Sequence, residues 1–212
     1  MITLHLLGKL IRFSQTSAPN FLIFIKFFSD LFQTIKGYFL DAPVSGGTSG
    51  AQNRQLAIMV GGKREIFEKT KKLLKSMGTV TYVGKTGSGQ VAKLANQAIV
   101  GITIGAVSEA LILAKAAGAD PKAVRNAIKT GFAGSPILEN HGKRILENNF
   151  KPGGRCSTQL KDMKNIIETA KIYNVHLPLS EKIKKLYDLM VKEGKSNFDH
   201  SALYLLMKKL KN

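Results

Sequence analysis

The segment from Gln90 to Ala117 constrains the chain most. It carries charge only at Lys93, Glu109 and Lys115 and is otherwise apolar or small-polar almost all round. Such a segment predicts one long helix running through the middle of a domain, because an all-round apolar helix must be covered by other elements. Gly101 and Gly105, four residues apart, leave a flat patch where a second helix can approach closely. Further helices are predicted over 121–130, 137–147, 159–173, 178–193 and 201–210, with no strand pattern between them. Asp120 and Asp199 stand where N-cap residues belong, their carboxylates able to accept from the first unpaired amides.

The chain before this helix has a different character. Tyr38 to Val44 is an apolar run stopped by Ser45-Gly46-Gly47, and Leu56 to Val60 is a second short run closed by Gly61-Gly62. Arg64 to Ser76 reads as a helix with Ile66, Phe67, Leu73 and Leu74 on its apolar face, and Thr79 to Val83 as a third strand. Residues 1–36 are rich in Phe, Ile and Leu without sustained periodicity, except for a short amphipathic helix over 21–35. The expected fold is mostly α: three strands and a helix, then an all-helical domain. The expected divisions are an atypical segment over 1–36, the small α/β piece over 37–88 and the helical domain over 89–212.

The formal net charge of +18 raises the question of nucleic acid or an anionic membrane. Of the 32 basic residues 26 are lysines, whereas arginine is the better reader of phosphates and base edges. The lysines also cluster as helix faces turned to solvent, as at Lys69, Lys71, Lys72 and Lys75. No nucleic-acid or membrane partner is therefore expected. A single cysteine, Cys156, permits no intrachain disulfide and suits a reducing, cytoplasmic setting. No signal peptide is read at the N-terminus, and the absence of about 18 uninterrupted apolar residues argues against a membrane span.

Gly87-Ser88-Gly89-Gln90-Val91-Ala92 follows a strand, opens a helix and fits the G-x-G-x-x-A form of a dinucleotide fingerprint. The context refutes it. The acid expected to bind ribose should end a second strand, whereas Glu109 lies inside the same long helix. A P-loop reading of Gly84-Lys85-Thr86 fails as well, because residue 79 is Thr. Lys93, near the start of the buried helix, is more informative. Desolvation and the helix dipole both disfavour an ammonium there, and such a lysine can pass a proton to a carbonyl oxygen. Asn96 and Gln97 share its helix face and can hydrogen-bond a substrate. Spacing alone leaves this reading and a solvent-snorkelling lysine both open. Ser45-Gly46-Gly47 can present backbone N–H groups to a carboxylate, as an anion nest does, although most such turns are only turns. No metal site is read.

Together these features resemble a known family. Phe39-Leu40-Asp41-Ala42-Pro43-Val44-Ser45-Gly46-Gly47, then Gly84-x-x-Gly87-x-Gly89-x-x-x-Lys93-x-x-Asn96, then Lys161-Asp162-Met163 and Asp199-His200-Ser201-Ala202-Leu203 occur in the order and approximate spacing of the β-hydroxyacid dehydrogenases. The resemblance covers about Tyr38 to Leu210. It implies that Lys93 is the catalytic acid/base, that Ser45, Gly46 and Gly47 hold a substrate carboxylate with Asn96 and Gln97 beside it, and that Lys161 lies near an NAD or NADP cofactor. It also implies the end of a Rossmann-type sheet followed by a helical domain like that of 6-phosphogluconate dehydrogenase, with a homo-oligomer formed through the helices. Lys93 to Gln97, Ser108 to Leu111 and Asn149 to Gly153 look most like tartronate semialdehyde reductases, which implies reduction of 2-hydroxy-3-oxopropanoate to glycerate. A 3-hydroxyisobutyrate dehydrogenase or related semialdehyde reductase is the alternative.

The chain also departs from that pattern. Residues 1–36 contain no G-x-G-x-x-G and no βαβ unit, and match nothing recognisable in the family. About a hundred residues of dinucleotide-binding fold are expected to be absent. Arg54 stands in a loop where relatives often carry glycine. Three readings follow: a truncated reductase impaired alone, a half completed by a second chain, or a non-catalytic helical dimerisation module.

Overall fold

The computed structural model describes residues 5–6, 9–10 and 21–210, and the chain divides into two compact units, 1–96 and 97–212. In the first unit, β1 (His5–Leu6) pairs antiparallel with β2 (Lys9–Leu10). Helix α1 spans Phe21–Thr34, close to the predicted 21–35, and buries Ile25 while Phe24, Phe27 and Leu31 face outward. It ends on Lys36 in the left-handed region (φ 53°), with the Gly37 amide returning to the Phe32 oxygen at 2.7 Å.

The strand predicted over 38–44 is not continuous. It is split into β3 (Leu40–Asp41) and β4 (Val44–Ser45), both antiparallel to β5 (Leu56–Gly62). Pro43 lies between the two pieces, and a proline has no N–H to donate to a ladder. Its carbonyl still accepts from the Met59 amide at 3.0 Å, so the line of the sheet is kept. A short helix α2 (Gly47–Gln52) joins β4 to β5. Helix α3 (Arg64–Lys75) carries the chain from β5 to β6 (Gly78–Gly84), which pairs with β5 in parallel. Leu56, Ile58, Val60, Phe67 and Leu74 form the core of this unit.

The buried face of α3 consists of Ile66, Phe67, Thr70 and Leu74; Leu73, expected inside, is 51% exposed. Residues 66, 70 and 74 repeat every four, so the stripe passes through Thr70. Its hydroxyl is neutralised by donation to the Ile66 oxygen at 2.9 Å. The outer face carries ion pairs from Glu65 and Glu68 to Lys69, Lys71 and Arg64.

Helix α4 (Ser88–Ala116) leads out of the first unit. Its N-terminus is held by a side chain from β3. The Asp41 carboxylate accepts from the Gly87 amide at 2.8 Å and from the Gln90 amide at 2.9 Å, one on each oxygen. Glycines make the room: a Cβ at Gly61 would stand 2.5 Å from Asp41 Oδ1, and one at Gly89 would stand 2.7 Å from Oδ2. Burial pushes the Asp41 carboxyl up from its ordinary value, against the pull of the Gly87 and Gln90 amides.

In the second unit α4 continues, followed by α5 (Pro121–Ile128), α6 (Pro136–Leu146), α7 (Cys156–Ile172), α8 (Pro178–Lys192), a 3-10 turn (His200–Ala202) and α9 (Leu203–Met207). Asp120 caps α5 through the Lys122 and Ala123 amides, as expected. The last predicted helix starts instead as the 3-10 turn and ends earlier. Gly101 and Gly105 meet α7 and α8: a Cβ at 105 would lie 2.7 Å from Ile183 Cδ1. Here α4 is covered on one face, through Gly101, Ile104, Gly105, Val107, Ser108, Leu111 and Ala114. The other face is open, with Ile99 66% and Leu113 69% exposed, so the helix is not enclosed all round. By length and composition α4 is also apolar enough to cross a membrane, a property that scattered polar residues hid from an uninterrupted-run criterion.

Asp199 fastens the C-terminal turn of this unit. Its Oδ1 accepts from the Ser201 amide and hydroxyl (3.0 and 2.6 Å), its Oδ2 from the Gly153 and Gly154 amides (2.9 and 3.1 Å), and Arg144 lies 3.7 Å away. Burial raises the Asp199 carboxyl, but these donors and the nearby His200 outweigh it and leave it below its ordinary value. His200 is half-buried against His141, and burial lowers His200 from 6.5 to about 4 and lowers His141 as well.

Arg54 holds φ 57°, the left-handed conformation that glycine adopts without cost, so Arg54→Gly is expected to raise stability by about 1 kcal/mol. Chemical denaturation measures it. For His200, unfolded chains take up a proton below pH 6.5 that the folded chain refuses until about 4. Stability is therefore lost as pH falls through that window, by about 3 kcal/mol. His200→Gln should flatten the wild-type decline in unfolding free energy between pH 7 and 4.

Candidate active site

Ser45 ends β4, and the next two residues are held in left-handed backbone conformations, Gly46 at φ 131° and Gly47 at φ 63°. Gly46 packs against Leu56, where a Cβ would lie 3.2 Å from Cδ2, whereas a Cβ on Gly47 would meet nothing within 4 Å. The turn thus has a packed side and an open side, and it feeds the N-terminus of α2, whose first amides have no intrahelical acceptor.

The Gly87-Ser88-Gly89 turn has the glycines of a phosphate cradle but not its vacancy. The anion at this helix N-terminus is the chain's own Asp41 carboxylate, bound by the Gly87 and Gln90 amides. A pyrophosphate does not fit there. Glu109 sits exposed inside α4, as the sequence implied.

Lys93 and Asn96 occupy the second and third turns of α4 in the first unit, both half-buried. Because Asp41 caps the start of the helix, its positive end is matched by a carboxylate rather than left to act on Lys93 alone.

In the second unit the structure brings Gln97 and the Lys161-Asp162 pair together. Gln97 Nε2 donates to Asp162 Oδ2 at 2.6 Å, and Lys161 Nζ lies 3.4 Å from Asp162 Oδ1. Asp162 is buried, so its charge is matched inside the fold by an amide and an ammonium. Gln159, one turn earlier on α7, donates from Nε2 to the Gln97 main-chain oxygen at 3.2 Å. Neither Asp162 nor Gln159 was singled out as a site residue from sequence. Asp162 was visible as part of Lys161-Asp162-Met163, whereas Gln159 carried no signal.

His141, Asp199 and His200 have the composition of a metal site, with one ligand atom of each within 4.8 Å of the others. Their bonding assigns them otherwise. His141 Nε2 and His200 Nε2 are 2.7 Å apart and share a proton, and both Asp199 oxygens are engaged by N–H and O–H donors with Arg144 beside them. A cation would have to displace these donors and sit against a guanidinium. Cys156 is buried beneath the same turn, and burial pushes its thiol up to about 12, which makes it a poor nucleophile.

A family model described as the NAD-binding domain of NADP-dependent 3-hydroxyisobutyrate dehydrogenase matches residues 87–207, and one described as the NAD binding domain of 6-phosphogluconate dehydrogenase matches 28–84. The chain is 41% identical to 2-hydroxy-3-oxopropionate reductase of Escherichia coli over 97% of its own length and 70% of that protein. That alignment reaches into residues 1–36, which sequence reading alone did not connect to the family. It is 36% identical to a probable 3-hydroxyisobutyrate dehydrogenase-like protein of Arabidopsis thaliana over 82% of the chain and 52% of the relative. The crystal structure of 3-hydroxyisobutyrate dehydrogenase from Salmonella typhimurium has the same fold (TM-score 0.79, 24% identity, 86% of this chain, 65% of that one). The chain therefore spans between about half and 70% of these relatives. On the family match over 87–207 and the 41% identity, the chain belongs to the 3-hydroxyisobutyrate dehydrogenase-like β-hydroxyacid dehydrogenases.

Proposed function

We propose that the chain is the substrate-binding part of an NAD(P)-dependent reductase that converts 2-hydroxy-3-oxopropanoate to glycerate. The observation that carries this reading is the 41% identity to the Escherichia coli reductase across nearly the whole chain. A 3-hydroxyisobutyrate dehydrogenase or related semialdehyde reductase is the alternative substrate reading, supported by the Arabidopsis relative.

In this reading residues 37–88 form the end of a dinucleotide-binding domain and 89–212 the substrate and dimerisation domain, with 1–36 preceding both. Amides of the Ser45-Gly46-Gly47 turn receive the substrate carboxylate, where the open side at Gly47 leaves room. Lys93 gives a proton to the aldehyde oxygen as the carbonyl carbon is reduced, and takes it back from the hydroxyl in reverse. Asn96 and Gln97 hydrogen-bond the substrate's oxygens, the Gln97 amide being oriented by Asp162. Lys161 faces the cofactor. The nicotinamide, when bound, supplies the hydride. Among the described residues the G-x-G turn is closed to a pyrophosphate by Asp41, so cofactor phosphates must be held elsewhere. This favours a second reading, in which the chain acts by pairing with a copy of itself or a full-length relative through its helices. The exposed Ile99 and Leu113 face of α4 suits such a role. A cytoplasmic location fits the single buried cysteine, and neither nucleic acid nor membrane is assigned as a partner.

The test is to measure NADH and NADPH binding by the purified chain, then reduction of 2-hydroxy-3-oxopropanoate, alone and mixed with a full-length relative inactivated by replacing its own lysine at the position aligned with Lys93. Reduction is expected under at least one of these conditions, and its absence from both contradicts the enzymatic reading. Where turnover is seen, Lys93→Ala is expected to lower kcat by about 10²–10⁴-fold with KM little changed, the loss of a general acid. Undiminished turnover would remove Lys93 from the mechanism.

A further inference from the structure

Gln159 is only 1% exposed and sits between two groups of opposite demand. Its Nε2 lies 3.2 Å from the main-chain oxygen of Gln97, and its Oε1 lies 3.3 Å from His200 Nδ1. A carbonyl oxygen can only accept, so the amide must turn its NH2 towards Gln97. Its oxygen then faces His200, whose Nδ1 must carry a proton. Neutral His200 is left with Nε2 as an acceptor, and His141 Nε2, 2.7 Å away, must donate to it. His141 Nδ1 then needs no proton, and it is the buried atom for which no hydrogen-bond partner is found among the described residues. One assignment of protons satisfies every contact in the series.

The surroundings keep both rings neutral. Burial lowers His200 to about 4 and lowers His141, Arg144 adds to the effect, and Asp199 opposes it without overcoming it. Tyr187, whose own hydroxyl burial holds well above its ordinary value, donates to the His200 main-chain oxygen at 3.0 Å. Cys156 lies under the same turn with its thiol protonated.

Gly101 supplies the access. A Cβ at that position would lie 2.7 Å from Gln159 Nε2 and 3.1 Å from Met163 Sδ, so the missing side chain lets the amide reach the carbonyl one turn back along α4. Asp162, three residues after Gln159 on the same face of α7, takes the Gln97 side chain at 2.6 Å. Gln97 is thus gripped twice from α7, by its main chain and by its side chain.

We propose that Gln159 is a positioning residue for Gln97, and that the His141–His200 pair holds its amide in the one orientation able to do this. The consequence for substrate rests on the reading of Gln97 given under Proposed function; the grip itself does not. Labelling histidine with 15N and glutamine with 13C and 15N in the full chain tests it by NMR. At neutral pH His200 is expected as the neutral tautomer protonated on Nδ1. Gln159→Leu and Gln159→Met, neither with an N–H or O–H to donate to Gln97, should both move the Gln97 carbonyl carbon upfield. A wild-type His200 protonated on Nε2, or a Gln97 carbonyl unmoved in both variants, overturns the proposal. If the Leu variant does not fold, the wild-type tautomer and the Met variant decide. For function, Gln159→Leu is expected to weaken glycerate binding about threefold to tenfold, as Gln97→Ala does. Weakening by Gln97→Ala but not by Gln159→Leu overturns the positioning role. Binding indifferent to Gln97→Ala contradicts the substrate reading of Gln97 alone, and the NMR signals still decide on Gln159.

Discussion

The Asp41 carboxylate on the Gly87 and Gln90 amides is the contact on which the rest of the molecule depends. It ties the first strand of the sheet to the first turn of the helix that carries Lys93, Asn96 and Gln97. The four N-terminal amides of a helix need acceptors from outside it, and a buried carboxylate offers two oxygens at once. The glycines around it are a consequence. Gly61 and Gly89 lie so close to the carboxylate that any side chain would expel it. A motif that has the form of a nucleotide fingerprint is here a socket for the chain's own anion.

A second carboxylate organises the helical unit in a similar way. Asp199 collects amides from the 153–154 segment and from the turn that follows it, and so closes that turn over Cys156. Around it the polar groups, His141 Nδ1 apart, are matched, which gives a single arrangement of donors and acceptors where an apolar core would tolerate several. The series from His141 through His200 and Gln159 ends on Gln97, so the interior of the helical unit is connected to the stretch of α4 read as the substrate side.

Much of this was legible in the sequence. Local patterns placed α3, β5, β6, α4 and the helices after it within a few residues, and the caps at Asp120 and Asp199 were read from their position before a helix. The misses have physical causes. Pro43 divided a strand because the ladder requires a donor that proline lacks, and Leu73 faced solvent because the stripe through Ile66, Thr70 and Leu74 followed the helix repeat rather than hydrophobicity. The relationship of residues 1–36 to the family lay in an alignment, not in any motif. At the site, Lys93, Gln97 and Lys161 stood in motifs, but Gln159 meets Gln97 across 62 positions of sequence and Asp41 meets Gln90 across 49, distances over which no local rule operates.

A buried carboxylate, not an open phosphate cradle, holds the start of α4. Hydrogen exchange at Gly87 and Gln90 in Asp41→Asn at neutral pH tests it most directly, because an asparagine amide offers one oxygen where two donors need two. Both amides are expected to lose protection, and the chain to be destabilised by about 1–3 kcal/mol. Unchanged protection at both positions, with unchanged stability, would contradict it.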